Sequence, residues 1–168
     1  MDKGDKGENR KKEKEYYETI KTRLEELLRG RGVNFHLEIT ANKRFSNRLK
    51  AEINRNRDII FNFLREAAPD ITGFIKKEYS SDFIVVEIKA RTIKLDDIYQ
   101  TRKYAQLFDA KYALLISTQE IPEEIKRLAK VIHSLLSSGY GYERINLARF
   151  DTEKEKLSEW FEKNPFEG

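Results

Sequence analysis

The chain has 168 residues, enough for one domain with a substantial hydrophobic core and too few for two domains of ordinary size. It contains no cysteine, which excludes disulfides and any zinc or iron–sulfur centre held by cysteine. Its 33 basic and 29 acidic side chains give a net charge of only +4, so composition is compatible with a nucleic-acid partner without singling one out.

Residues 1–15 are almost all charged residues or glycine, which predicts a flexible tail or the frayed start of a helix, followed by a single domain over residues 16–168. No apolar run approaches the roughly 20 residues that span a bilayer, and the start lacks the apolar core of a signal peptide. We therefore expect no membrane partner and a cytoplasmic location.

The first half of the domain is predicted to contain two helices and a strand. Apolar residues spaced three and four apart predict an amphipathic helix from Tyr16 to Gly30. Alternating apolar and polar residues predict a strand over Val33–Ile39. Recurring apolar positions then predict one helix, straight or bent, from about Ser46 to Ala67.

A β-hairpin is predicted next. Ile71–Lys77 and Phe83–Ala90 are rich in β-branched and aromatic residues, and the polar run Glu78–Asp82 between them favours a turn. Side chains alternate between the faces of a strand, so Glu87 and Lys89 are expected on the same side of the second strand.

The start of this hairpin adds a second carboxylate. Asp70 follows Pro69 where the first strand begins, so pairing of the two strands can bring Asp70 near Glu87. Two carboxylates and the carbonyl of Ile88 form a set of hard oxygen ligands suited to Mg²⁺ or Mn²⁺. A neighbouring Lys89 can orient a water molecule, and this equipment predicts hydrolysis of a phosphodiester bond.

The second half of the chain alternates predicted helices and strands. A helix over Leu95–Phe108 puts Gln100 and Tyr104 on one face, and a buried strand is predicted at Tyr112–Ser117. The remaining predicted elements are a helix over Ile121–Leu136, a strand over Tyr142–Phe150 and a last helix capped by Thr152. This order predicts an α/β fold with three layers, in which helices flank a central mixed β-sheet.

The motifs resemble those of the PD-(D/E)XK, or restriction endonuclease-like, nuclease superfamily. Pro69-Asp70 and Glu87-Ile88-Lys89 correspond to its Pro-Asp and Glu-X-Lys signature. Gln100 and Tyr104 resemble the Gln-X-X-X-Tyr motif of the RecB-like branch. The resemblance implies a restriction endonuclease-like core, a Mg²⁺-dependent deoxyribonuclease activity and a supporting role for Gln100 and Tyr104 at the site.

The family often adds an acidic residue from the first helix. Glu18 is the candidate for that position, and Glu25, Glu26 and Glu52 compete with it. A glutamate on a charged helix is more often solvated than bound to a metal.

A basic segment precedes the hairpin. Its six basic side chains are offset by one acid, Glu52, and are candidates for binding DNA phosphates: Lys43, Arg44, Arg48, Lys50, Arg55 and Arg57. A solvated helix face is an equally ordinary explanation of the same pattern.

Three functional hypotheses remain open on the sequence. A metal-dependent nuclease acting on DNA is the first, and a non-catalytic DNA-binding or assembly module with a nuclease fold is the second. An RNA-directed nuclease is the third, because a metal site can hydrolyse either backbone. A homodimer is compatible with the first hypothesis, since two sites are the simplest means of cutting two strands.

Overall fold

The computed structural model describes the backbone of residues 3–138 and 144–167, and their side chains from residue 12 onward. Over this part of the chain, six strands form one mixed sheet whose spatial order is the order of the chain. Helices cover both faces of the sheet, which confirms the predicted α/β class with a central mixed sheet.

The strands are β1 (Asn34–Ile39), β2 (Ile71–Lys76), β3 (Ser81–Lys89), β4 (Tyr112–Ser117), β5 (Ile145–Asp151) and β6 (Lys156–Trp160). The helices are α1 (Lys3–Gly30), α2 (Asn47–Glu52), α3 (Ile60–Phe63), α4 (Leu95–Phe108) and α5 (Glu123–Val131), with a 3-10 turn at Arg55–Arg57 between α2 and α3. Strands β1, β2 and β3 form an antiparallel meander, whereas β3, β4 and β5 are parallel, and β6 returns antiparallel to β5.

Each face of β3 contributes to a separate hydrophobic core. Ile84, Val86 and Ile88 pack towards α1, whose buried residues include Ile20 and Leu24. The opposite face belongs to the core formed with α4, α5 and the segment between β1 and β2. A polar side chain in the buried part of β3 that points to this second face therefore lies beneath helices rather than in open solvent.

The segment between β1 and β2 differs from the single helix predicted over residues 46–67. The backbone becomes extended at Ile53 and Asn54, which ends α2. Lys76 and Ser81 both donate hydrogen bonds to Glu52, at 2.8 and 2.6 Å, so the end of α2 is fastened to the β2–β3 hairpin. A straight helix of the predicted length would extend about 33 Å, whereas this chain must turn back to reach the start of β2.

The last predicted helix is wrong, because the chain forms a β-hairpin there. The Asp151 carboxylate accepts hydrogen bonds from the backbone N–H groups of Glu153 and Lys154, and Glu155 adopts a left-handed backbone with φ +52°. This turn leads into β6 instead of a helix at Thr152.

Other boundaries differ by less. Helix α5 is shorter than predicted, and β5 begins at Ile145, while residues 142 and 143 of the predicted strand lie outside the described residues. Helix α1 begins at Lys3, so the tail boundary predicted at residue 15 falls inside a helix.

None of the helices in the described ranges combines the length and the apolar character needed to cross a membrane.

Candidate functional site

The β2–β3 pairing brings the two predicted carboxylates together. Ile71 pairs with Val86, so Asp70 and Glu87 occupy the next pair of positions beyond it. The Asp70 N–H donates to the Val86 carbonyl at 3.0 Å, and its closeness to the Glu87 carboxylate favours the charged form of that group and so lowers its pKa. Asp70 and Glu87 are both buried, with 9% and 5% of their surface exposed.

Thr40, which follows β1, fixes the entry into β2. Its N–H donates to the Asp70 carbonyl at 2.8 Å, and its hydroxyl donates to the Pro69 carbonyl at 2.6 Å. The Thr40 and Thr72 hydroxyls are 2.7 Å apart, and both residues are fully buried. These contacts hold the backbone on either side of Asp70 and so fix the point from which its side chain extends.

Lys89 lies on the same side of β3 as Glu87, as the alternation predicts. Its Nζ atom is 3.8 Å from Glu87 Oε2, and 20% of the lysine side chain is exposed compared with 6% of the glutamate side chain. The structure thus places the ammonium group at the solvent end of the pair.

Helix α4 supplies the wall above Glu87. The Gln100 amide nitrogen donates to the Tyr104 hydroxyl at 2.5 Å, which confirms that the two side chains share one helix face. Tyr104 is almost fully buried, while Gln100 is partly exposed.

Helix α1 contributes two residues that the sequence analysis missed, Glu13 and Tyr17. The Tyr17 hydroxyl donates to Asp70 Oδ1 at 3.0 Å, and the Glu13 carboxylate lies near the Ala90 N–H, which acts to lower its pKa. Extending the apolar spacing of Ile20 and Tyr17 back by one turn reaches Glu13, so the helical period carried this signal.

Glu18 is not part of this group. It is exposed, because it follows Tyr17 and the next position of a helix is rotated by about 100°. The acid that α1 directs towards Asp70 and Glu87 is therefore Glu13.

The converging side chains line one open cleft of about 380 Å³. Five of the six predicted catalytic residues line it, and Glu18 does not: Asp70, Glu87, Lys89, Gln100 and Tyr104. Glu13 and Tyr17 from α1 also line it, as do two lysines, Lys14 and Lys43. The buried Asp70 and Glu87 side chains lie at its base, where the β2–β3 hairpin meets α1 and α4, and Lys89 lies nearer to solvent.

Burial and mutual repulsion raise the pKa values of the acids in the cleft. Burial raises the pKa of Asp70 to about 6, although a hydrogen bond from the Ile88 N–H and the charge of Lys89 oppose the rise. Burial raises the pKa of Glu87 well above its ordinary value, and the charge of Asp70 adds to the effect. Burial also raises the pKa of Glu13, against the charges of Lys89 and Arg91.

The donor chemistry of this cleft fits a divalent cation. Among the described residues, no group of three or more Asp, Glu, His or Cys side chains is arranged to hold a metal ion. The expected ligand set is smaller, consisting of the Asp70 and Glu87 carboxylates with the Ile88 carbonyl. These two acids repel each other in a buried place, and a hard cation would neutralise that repulsion.

A bidentate ion pair braces the loop between β3 and α4. Arg91 Nη1 and Nη2 donate to the two oxygens of Asp97 at 2.7 and 2.9 Å. The Asp97 carboxylate also accepts the Lys94 N–H at 2.8 Å at the first turn of α4. These bonds fasten the loop between β3 and α4 to the first turn of the helix that carries Gln100.

The six basic residues predicted to bind nucleic acid do not form one helix face. Lys43 lines the cleft beside Asp70, whereas Arg55 lines a separate pocket near the β2–β3 turn. Arg57 donates to the carbonyls of Gln106 and Leu107 at the end of α4. The other three follow the chain between these places: Arg44, Arg48 and Lys50. The segment is divided because the predicted long helix is divided.

Comparisons with protein-family models, with curated proteins and with solved structures found no match to this chain. The interpretation of the site therefore depends on its own residues and their geometry.

Proposed function

We propose that this protein is a Mg²⁺- or Mn²⁺-dependent nuclease that hydrolyses phosphodiester bonds of DNA. One observation carries this function: a single cleft holds Asp70 and Glu87 opposite each other, with Lys89 at its solvent end and Gln100 beside Tyr104 along its wall. An acidic floor with an adjacent lysine is an arrangement suited to metal-assisted phosphodiester hydrolysis.

Asp70, Glu87 and the carbonyl oxygen of Ile88 are the groups that would hold the metal ion. When bound, the ion would lower the pKa of water and offset negative charge on the phosphate. Lys89 donates a hydrogen bond from its ammonium group to the attacking water and so orients it. Gln100 and Tyr104, linked at 2.5 Å, position the loop and the substrate beside these groups.

The remaining charge in the cleft suits a polyanion. Lys14 on α1 and Lys43 after β1 line it and provide positive charge for phosphates that flank the scissile bond. Contacts of this kind recognise the backbone and not the bases, so the cleft favours a nucleic acid of any sequence. Two copies acting together would cut both strands of a duplex, and a cytoplasmic location belongs to the same proposal.

The test is a cleavage assay with linear, circular, branched and single-stranded DNA and with RNA, in Mg²⁺, Mn²⁺ or chelator. Wild type is compared with Lys89→Ala and with Lys130→Ala, a control that removes an exposed lysine on α5. We expect metal-dependent cleavage of DNA by wild type and the control, and a loss of at least about a hundredfold in Lys89→Ala.

Cleavage that persists undiminished in Lys89→Ala would contradict this mechanism. Salt-sensitive DNA binding without cleavage would favour the non-catalytic module instead, and cleavage of RNA alone would favour the RNA-directed nuclease.

A further inference from the structure

Both oxygens of the Asp70 carboxylate are engaged by donors from other elements. Oδ1 accepts the Tyr17 hydroxyl at 3.0 Å, and Oδ2 accepts the Ile88 N–H at 2.7 Å. One donor comes from α1 and the other from β3, so together they prevent the carboxylate from rotating about its χ2 bond. An ionised carboxylate offers about four acceptor sites, and each oxygen of Asp70 therefore keeps one site for another ligand.

Tyr17 is built into the core and does not reach Asp70 by chance. Its ring is 8% exposed and belongs to the hydrophobic cluster that joins α1 to the sheet. Its hydroxyl forms a hydrogen bond over a separation of 53 residues in the chain. Burial, together with the charge of Asp70, raises the pKa of Tyr17, so the hydroxyl keeps its proton and remains a donor.

We infer that Tyr17 is a positioning residue that fixes the Asp70 carboxylate for binding a divalent cation. This role rests on the proposed function of the cleft but goes beyond the predicted motif residues, because it assigns α1 a part in metal affinity. Partners that orient a metal-binding carboxylate commonly contribute about 10- to 100-fold to affinity. Tyr17 itself does not need to touch the ion or the substrate.

Tyr17→Phe isolates this role because it removes the hydroxyl and keeps the ring. Tyr16→Phe is the matched control, since Tyr16 lies on the same helix but its ring packs against Phe150 at a centroid distance of 6.0 Å and it does not line the cleft. Tyr17→Met is a second variant without a hydroxyl, and Asp70→Asn defines the signal that remains without the carboxylate.

The measurement is the dissociation constant of Mn²⁺ for the full chain without DNA, by titration calorimetry or by the loss of the free-Mn²⁺ EPR signal. We expect Tyr17→Phe to bind Mn²⁺ about 10- to 100-fold more weakly than wild type, and Tyr16→Phe to bind within about twofold of it. The Mn²⁺ concentration for half-maximal cleavage should rise in parallel while the rate at saturating metal is largely kept.

Binding by Tyr17→Phe as tight as that of Tyr16→Phe would overturn the positioning role and leave the nuclease proposal intact. Wild type that binds Mn²⁺ through Asp70 but cleaves no nucleic acid would overturn the nuclease proposal, and a weaker affinity in Tyr17→Phe would still support the positioning role. Wild type without any Mn²⁺ binding that depends on Asp70 would overturn both.

Discussion

Glu87 is a carboxylate on a central strand, with a second carboxylate opposite it and hydrophobic cores on both faces of the sheet. A buried acid in such a place loses the solvation that favours its charged form, and a neighbouring acid increases the cost. Lys89 compensates only in part, at 3.8 Å and near solvent. Under the proposed function, Glu87 trades folding stability for the capacity to bind a cation.

Replacing Glu87 with glutamine should therefore stabilise the protein while abolishing cleavage. The amide has a similar volume, has no ionised form to desolvate and keeps an acceptor oxygen at this position. In chelator near neutral pH, we expect Glu87→Gln to raise the free energy of unfolding by about 1 kcal/mol, as measured by denaturant titration. Glu18→Gln, an exposed acid on α1, is the control and should change little. A variant less stable than wild type would contradict this account of Glu87.

Helix α4 carries Gln100 and Tyr104 of the site, and side-chain hydrogen bonds hold the helix at both ends. Asp97 accepts the Lys94 N–H at the first turn and pairs with Arg91. At the other end, Arg57 donates to the last carbonyls of the helix, where its positive charge also interacts favourably with the negative end of the helix dipole. Gln100 and Tyr104 lie between these two anchors, so their position depends on both.

The Asp97 anchor should make the stability of the protein fall at acidic pH. Burial alone would raise the pKa of Asp97, but the hydrogen bonds from Arg91 and from the Lys94 N–H outweigh it and lower the pKa below its ordinary value. The unfolded chain then takes up a proton at a higher pH than the folded chain, so the stabilisation is complete above the unfolded pKa of about 4 and is lost as the pH falls through the folded pKa.

We expect Asp97→Asn to cost about 1.5–3 kcal/mol between pH 5 and 7, because it breaks the bidentate pair. Below about pH 4 the difference from wild type should shrink, since Asp97 then becomes protonated in the parent as well. Denaturant unfolding across this pH range measures both effects. The neighbouring exposed Asp96, changed to asparagine, is the control. A difference that grows as the pH falls would contradict the lowered pKa.

A comparison of Arg57 with Arg55 distinguishes a structural role of an arginine from a role in binding phosphate. Arg57→Ala should lower the free energy of unfolding by about 1 kcal/mol through loss of the hydrogen bonds to Gln106 and Leu107. Arg55→Ala should change stability by less than about 0.5 kcal/mol, because Arg55 is exposed. Thermal and denaturant unfolding of both variants measure these changes in stability. Unchanged stability in Arg57→Ala, together with weaker DNA binding, would assign Arg57 to the nucleic acid instead.

At the scale of the whole molecule, the elements that the sequence predicted correctly are those that local residue patterns determine. The β2–β3 hairpin and α4 were predictable because their residues alternate or repeat over short distances, and this was enough to group Asp70 with Glu87 and Lys89. The end of the chain was not predictable in this way. Leu157, Trp160 and Phe161 fit a helical spacing, but the Asp151 turn and pairing with β5 determine a strand.

Long-range contacts explain the remaining differences. Glu13 lies in a run of charged residues that composition assigns to a tail; the helical period of Ile20 and Tyr17 extends to it, but the packing of α1 against the sheet is what brings it to Asp70 and Glu87. The division of the predicted helix after Glu52 depends on Lys76 and Ser81, which come more than 20 residues later. A sequence pattern does not contain these partners, so it predicts the elements better than their junctions.

The spatial order of the strands, β1 to β6, bears on how the chain is made. Because every strand pairs with its predecessor, a chain emerging from the ribosome can extend its sheet one strand at a time and never has to insert a late strand between earlier ones. The β1–β2–β3 meander can pair early, while parallel pairing of β4 waits for α4 to be synthesised. All the acidic residues of the cleft belong to the first 89 residues, so the nascent chain already carries these negative charges when α4, the helix that forms the wall above Glu87, has yet to be synthesised.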